Sequence, residues 1–356
     1  MGIGGWLTNY KRFNCIPEGK RLCLTVGDYE HFESYITKKD IEYISSLGFD
    51  HVRLGFDQIV LEESPFVLRE RTVKLIDEFL TWCKDCGLNA VLNLHKAIGN
   101  YCDVQSAVGL FDSEELKDRF VWLWCELAKR YKGDKTVAFE LLNEVVSNAD
   151  GWNELWHRTL KEIRKISPDR TIIVGGSEWN SPHTLAKIAL VDDPGVIYTF
   201  HSYYPHIFTH QKGVLQSGCA FYNRDMPYPC AAERYLDAAK TLGYGEPCLK
   251  ALDKTDIRAL ERFMRPAFDF AKAHPDKILW CGEFGTIRHA NIIWRENWMN
   301  DMILLLKRND ISYCVWNYLS TPNDGNRFSL VDDDTRKILS PRLRDILLGG
   351  VTEPSE

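Results

Sequence analysis

Apolar, β-branched and aromatic residues gather in seven short runs: HVRLGF (51–56), NAVLNLHK (89–96), VAFELLN (137–143), TIIVGG (171–176), VIYTFHSY (196–203), KILWCGEFG (277–285) and ISYCVWNY (311–318). Each is nearly continuous in its hydrophobicity rather than alternating, the pattern of parallel strands covered on both faces. Amphipathic stretches with helical spacing separate them. RERTVKLIDEFLTWCKDCG stops at Gly87, and DSEELKDRFVWLWCELAKRYKG opens on an acidic turn and closes on Lys, Arg and Gly133. Both endings complement the helix dipole and its carbonyl end. GWNELWHRTLKEIRKIS, DIRALERFMRPAFDFAKAH and IIWRENWMNDMILLLKRN follow the same rule, with Pro266 expected to kink the second. A first strand near GIGGWL brings the strands to eight, alternating with helices along the whole length. That pattern predicts the α/β class and a single (β/α)8 TIM barrel over residues 1–350, followed by a tail at 351–356. No GxGxxG or GxxxxGK[ST] follows an early strand, which weighs against a nucleotide-binding sheet. Residues 204–254 after the sixth strand break the rhythm and are expected to form an insertion covering the active site.

The strands also share a way of ending. In order, their C-terminal ends carry Arg53, His95, Asn143 with Glu144, His201 with Tyr203, Glu283 and Trp316. In barrels of this kind those ends build the active site. Two carboxylates flanked by hydrogen-bonding and aromatic groups suit displacement at a sugar acetal carbon. One acid protonates the leaving oxygen while the second carboxylate attacks or activates water. Glu144 and Glu283 are the candidate pair. Asn143 is placed to bond a sugar 2-hydroxyl, Arg53 to keep Glu283 ionised and Tyr203 to donate to the same carboxylate. His95 and His201 orient the acid or hold hydroxyls, and Trp316 offers a stacking face.

Composition narrows the class. The chain has 356 residues, 45% hydrophobic and 26% charged, with a formal charge of −6 and no dense basic cluster. Nucleic acid is therefore an unsuitable partner, and no stretch of about 18 apolar residues offers a membrane span. Eleven Trp and fifteen Tyr fit recognition of flat, partly apolar sugar rings. Eleven cysteines, several inside apolar runs, read as buried thiols, and the Cys83/Cys86 pair reads as structural. Free thiols and the absence of an export signal predict a cytoplasmic protein. Metal and cofactor are not expected: neither HxH at the first strand nor HExxH occurs. Oligomeric state is not legible.

The pieces GGWL (4–7), HVRLGF, NLH, LLNE, HSYYP, GEFG and VWNY, in that order across residues 4–318, resemble glycoside hydrolase family 5. The resemblance implies a retaining double displacement, with Glu144 as acid/base on strand four, Glu283 as nucleophile on strand seven, and a carboxylate separation of about 5–5.5 Å. Val145 departs from the Pro that follows the acid/base Glu in many cellulases of the family. GGWLTNYKRFN, LGFDQIVLEE and NLHKAIGNYCD are similar to family members that remove β-mannose from small oligosaccharides, including the core mannose of N-glycans. The expectation is thus an exo-β-mannosidase, with an open-cleft endo-β-1,4-glucanase as the alternative and an inactive carbohydrate-binding barrel as a remote one. His206, His210, Gln211, Tyr222, Asn223, Arg224 and Asp225 are candidates to block the pocket, and Asn323, Asp324 and Arg327 to grip a terminal sugar.

Overall fold

The computed structural model describes residues 1–8, 24–102, 109–146, 148–321 and 324–353. The chain forms two compact units, one of Met1–Thr199 with Asp276–Ile278, the other of Phe200–Pro275 with Leu279–Glu356.

The first unit runs β1 (Gly2–Leu7), α1 (Val26–Ser34), α2 (Lys38–Ser46), β2 (His51–Asp57), α3 (Glu70–Asp85), β3 (Asn89–Lys96), α4 (Glu114–Arg130), β4 (Val137–Glu140), α5 (Ala149–Ile166), β5 (Ile172–Gly175) and the start of β6 (Val196–Ser202). All of these strands pair in parallel. One row crosses the sheet through Gly55, Asn93, Glu140, Ile173 and Ile197. The helix ends follow local chemistry. Ser113 caps α4 by accepting from the Leu116 N–H, and Gly87 and Gly133, beyond α3 and α4, take φ values of 68° and 83°. Only glycine enters that region without strain.

The second unit contains the end of β6, α6 (Ala232–Leu242), α7 (Ile257–Ala273), all of β7 (Ile278–Phe284) after its first residue, α8 (Ile292–Arg308), β8 (Ser312–Tyr313) and α9 (Pro341–Leu347). β7 and β8 pair in parallel through Trp280 with Ser312 and Cys281 with Tyr313. Within the eight-stranded sheet every strand's neighbours are its neighbours in the chain, the strand order of a (β/α)8 barrel.

Three buried helix tryptophans fix the ends of the strands. Trp124 of α4 donates its indole N–H to Leu141 O at 3.0 Å, Trp152 of α5 to Gly175 O at 2.9 Å, and Trp298 of α8 to Tyr204 O at 3.0 Å. Each carbonyl lies at or just past the end of β4, β5 or β6. Carbonyls there have left the ladder and need a donor, and a buried indole N–H needs an acceptor. The Trp residues of GWNELW and RENWMND are thereby core residues: Trp152, Trp156 and Trp298 expose 1%, 0% and 0%.

The structure differs from the sequence pattern in four places. β4 and β8 are shorter than their apolar runs, although the chain keeps its course: Leu141 N–H bonds Ile173 O, Asn143 N–H bonds Leu94 O, and Trp316 N–H bonds Phe284 O. Helices α1 and α2 have no counterpart in the sequence reading; α1 buries only Phe32 and so carries no apolar stripe, while α2 buries Ile41 and Ile44. Residues 204–254 hold an ordered helix, α6, closed by Gly243 at φ 75°, and a short antiparallel pair, Cys230–Ala231 with Lys254–Thr255. Pro266 lies inside α7, which spans Ile257–Ala273. Cys15 and Cys23 lie outside the described residues, and the nine other cysteines are free thiols, with Cys83 buried on α3. No helix among the described residues is long and apolar enough to cross a membrane.

Candidate active site

In the first unit the site residues are organised by a buried ion pair. Arg53 on β2 and Glu140 on β4 both have side chains with 0% exposure. Arg53 Nε donates to Glu140 Oε2 at 2.5 Å, and its Nη2 to Glu140 Oε1 at 2.8 Å, a fork matched to the carboxylate. The same Nη2 donates to Asn143 Oδ1 at 2.7 Å. A guanidinium only donates, so this bond fixes the amide's orientation. Asn143 must turn its NH2 group away from Arg53, where it meets Cys102 Sγ at 3.8 Å. Arg53, expected to serve Glu283, thus has Glu140 as its buried partner within its own unit.

Glu144 follows at the point where the chain leaves β4. It is half-buried and adopts φ 44°, in the left-handed region. Such a backbone in a non-glycine residue persists where its surroundings hold it. Here the next residue, Val145, is fully buried, and its carbonyl accepts from the Trp179 N–H at 3.1 Å. Trp179 itself belongs to a run of three left-handed residues, Glu178, Trp179 and Asn180, and its indole donates to Cys102 O at 2.6 Å. His95, near the end of β3, places Nδ1 3.0 Å from Asn93 Oδ1. Its ring lies over Gly55, where a Cβ would come within 3.2 Å of Nδ1.

In the second unit Glu283 ends β7 and is 4% exposed. Tyr203 Oη donates to its Oε2 at 2.9 Å, while His201 Nδ1 stands 3.7 Å from the same oxygen, too far for a hydrogen bond. The Tyr203 ring is held edge-on against Phe328, at 5.7 Å between centroids, and against His210 at 5.3 Å. His210 is buried, which lowers its pKa well below the ordinary histidine value. Trp316 packs with Ile287 and Phe328, and its carbonyl passes so close to Gly285 that a Cβ there would lie 2.2 Å from it. Buried Arg295 ties the turns beyond β7 and β8 together, donating to Thr286 Oγ1 and Ser329 O.

The other candidates divide. Gln211 is buried and clasps Met226 through both amide atoms, each at 3.1 Å, a structural task. Asp225 pairs with Lys212 at 2.7 Å, Asn223 caps a short helix at φ 45°, and Arg224 lies over the Tyr222 ring. Arg327 pairs with Asp333. Asn323 lies outside the described residues. The sequence reading missed Glu140 and Trp179. Glu140 carried a signal, a carboxylate at the apolar fourth position of VAFE, which burial obliges to find a cation. Trp179 carried none, since its place depends on three consecutive positive φ angles.

The family model of cellulase, glycosyl hydrolase family 5, matches residues 15–321. The chain is 36% identical over 353 residues to endoglucanase C of Acetivibrio thermocellus, covering 98% of this chain and 96% of that one. It is 30% identical to cellodextrinase A of Ruminococcus flavefaciens, over 81% and 75% of the two chains. Among solved structures, Thermotoga maritima Cel5A in complex with cellobiose superposes with a TM-score of 0.68 at 26% identity, covering 88% of this chain and 90% of that one. The same enzyme was also solved with mannotriose, with the same score, identity and coverage. The chain belongs to glycoside hydrolase family 5 and is a retaining O-glycoside hydrolase with the (β/α)8-barrel fold.

Proposed function

We propose that this enzyme cleaves β-1,4-linked glucan and its short fragments, with Glu283 as nucleophile and Glu144 as acid/base. The observation that carries the chemistry is the Tyr203–Glu283 hydrogen bond of 2.9 Å. The phenol donates to Oε2 and stabilises the charged carboxylate that attacks the anomeric carbon. Glu144 gives its proton to the departing glycosidic oxygen as the C–O bond breaks. It then takes a proton from the water that displaces Glu283 and releases the sugar. Asn143, with its amide turned by Arg53, presents N–H donors to a sugar 2-hydroxyl, a contact that strengthens as the oxocarbenium ion develops.

Relatives support the glucan over the mannoside. The sequence pieces alone favoured an exo-β-mannosidase, but endoglucanase C is matched over nearly the full length of both chains, and cellodextrinase A over 81% of this one. A β-mannoside remains worth assaying beside the glucans, given the mannotriose complex of the Thermotoga enzyme.

The test is hydrolysis of p-nitrophenyl β-cellobioside, β-glucoside and β-mannoside, together with viscometry of a soluble β-1,4-glucan. Release from the cellobioside with a rapid fall in viscosity, both abolished in Glu283→Ala, is the expected result. Release from the mannoside alone would overturn the glucan reading. Azide assigns the two carboxylates: it should restore Glu283→Ala to give an α-glycosyl azide and Glu144→Ala to give the β-anomer.

A further inference from the structure

Residues 204–263 of the second unit enclose a cavity that the catalytic chemistry does not use. Its volume is about 540 Å³, and it is lined by Tyr204, Ile207, the Ser217–Cys219 turn, the Leu242–Cys248 segment and Phe263. The volume falls within the range of roughly 300–1,000 Å³ typical of small-ligand clefts.

Its walls have a definite chemistry. Tyr204 and Phe263, both in the lining, stack on each other with centroids 4.7 Å apart and planes 9° from parallel. Tyr244 stands at the rim with 42% of its surface exposed. Between them Glu246 presents a carboxylate whose Oε2 accepts from Tyr204 Oη at 2.6 Å. Burial raises its pKa, and hydrogen bonds from the Tyr204 and Tyr244 phenols act against the rise. Neither Lys nor Arg stands among the described lining residues, whose one basic group is the His206 imidazole, and Glu246 is held by the neutral phenols.

Aromatic side chains beside a hydrogen-bonded carboxylate, with neither Lys nor Arg, suit a neutral molecule having an apolar face and a rim of hydroxyls. We infer that this cavity is a second, non-catalytic saccharide site, which stacks a pyranose ring on Tyr244 and accepts its hydroxyls at Glu246. Its described lining holds a single carboxylate, whereas glycoside cleavage needs two. It therefore binds without cutting. The identity of the sugar as a β-glucoside rests on the proposed function.

The test separates the two sites. The enzyme is first blocked with a 2-deoxy-2-fluoro-β-cellobiosyl fluoride, whose fluoride leaves as Glu283 bonds to C1. Cellotetraose is then titrated into the blocked protein by calorimetry and by NMR. One saturable equivalent is expected, weakened about tenfold or more in Tyr244→Ala and in Glu246→Gln, as loss of a stacked ring or of a charged acceptor would give. Hydrolysis of p-nitrophenyl β-cellobioside by both variants should match the unsubstituted enzyme. Tyr244 is exposed enough for its truncation to spare the fold, and Glu246→Gln keeps an acceptor for Tyr204. No saturable binding to the blocked enzyme, or binding unchanged in both variants, overturns the site. So does a cavity that takes tetramethylammonium and not the saccharide. Failure of the fluoride to label Glu283 counts against the proposed chemistry instead. In that case the titration is run on the unlabelled protein, and the difference between it and Tyr244→Ala decides.

Discussion

Replacing Arg53 with Met removes the cation from a pair in which neither side chain has any accessible surface. Glu140 then keeps its charge, or takes up a proton, without the fork that held it at 2.5 and 2.8 Å. Breaking one partner out of a buried pair costs about 3–5 kcal/mol, because the remaining charge is left uncompensated. Glu140→Met strands Arg53 in the same way, with Asn143 Oδ1 still accepting from it at 2.7 Å. The double variant buries no charge at all and fills the space with apolar atoms, so its loss should be small, about 0–2 kcal/mol. An unfolding entropy of ~2 cal/mol/K per residue makes a degree of Tm worth about 0.7 kcal/mol for a chain of this length. Each single variant should therefore melt roughly 4–7 °C lower and the double less than about 3 °C lower. Scanning calorimetry of all four proteins closes a double-mutant cycle. If the double variant instead lost the sum of the two single losses, the pair would not be the coupled unit inferred from the geometry.

Three further outcomes follow from single contacts. Tyr203→Phe deletes the 2.9 Å bond to Glu283 but keeps the ring against Phe328 and His210. kcat/KM for the cellobioside should fall about 10–100-fold with little change in Tm, the value of one hydrogen bond to a charged group; undiminished activity would show that Glu283 does not depend on the phenol. Gly285→Ala places a methyl group 2.2 Å from the Trp316 carbonyl, so the backbone beside Glu283 must shift. Both Tm and turnover should drop, and a variant with unshifted melting would contradict the close approach. Asp301 is buried and has its pKa raised to about 6, mainly by that burial, with hydrogen bonds from Tyr228 and Asn300 acting the other way. The folded state therefore holds a proton that the unfolded chain releases near pH 4, and stability falls by roughly 3 kcal/mol as pH rises from about 4 to 6. Asp301→Asn should flatten that part of the Tm–pH curve and melt higher at pH 7; an unchanged slope would exclude Asp301 as its source.

Some of this protein is written in short-range patterns. The span of β3 is that of its apolar run, residues 89–96, because hydrophobicity buried on both faces is a local property of the chain. Gly87 and Gly133 mark helix ends because the left-handed region selects glycine whatever surrounds it. The polar residues at the strand ends are legible for the same reason: a strand that finishes on Asn143 and Glu144 after VAFELL needs an explanation, and repetition of the pattern supplies it.

Partners remote in sequence were legible only where two strand ends carried matching chemistry, as with Tyr203 and Glu283, 80 positions apart. The pairing of Arg53 with Glu140, across 87 positions, was not. No periodicity encodes such separations, and strand register alone decides which side chains face one another. The left-handed turn of Glu144 depends on a hydrogen bond that Val145 receives from Trp179, and the Tyr204–Phe263 stack depends on how the segment after β6 folds back on α7. Helix α1 was invisible because it buries a single residue, leaving its helicity to the Thr25 capping box and to packing. Sequence by itself determined the fold class, the elements with strong local preferences and the chemistry offered at the strand ends. Tertiary structure decided which charges neutralise one another and which way Asn143 turns, because burial and hydrogen-bond satisfaction are settled only when distant segments pack.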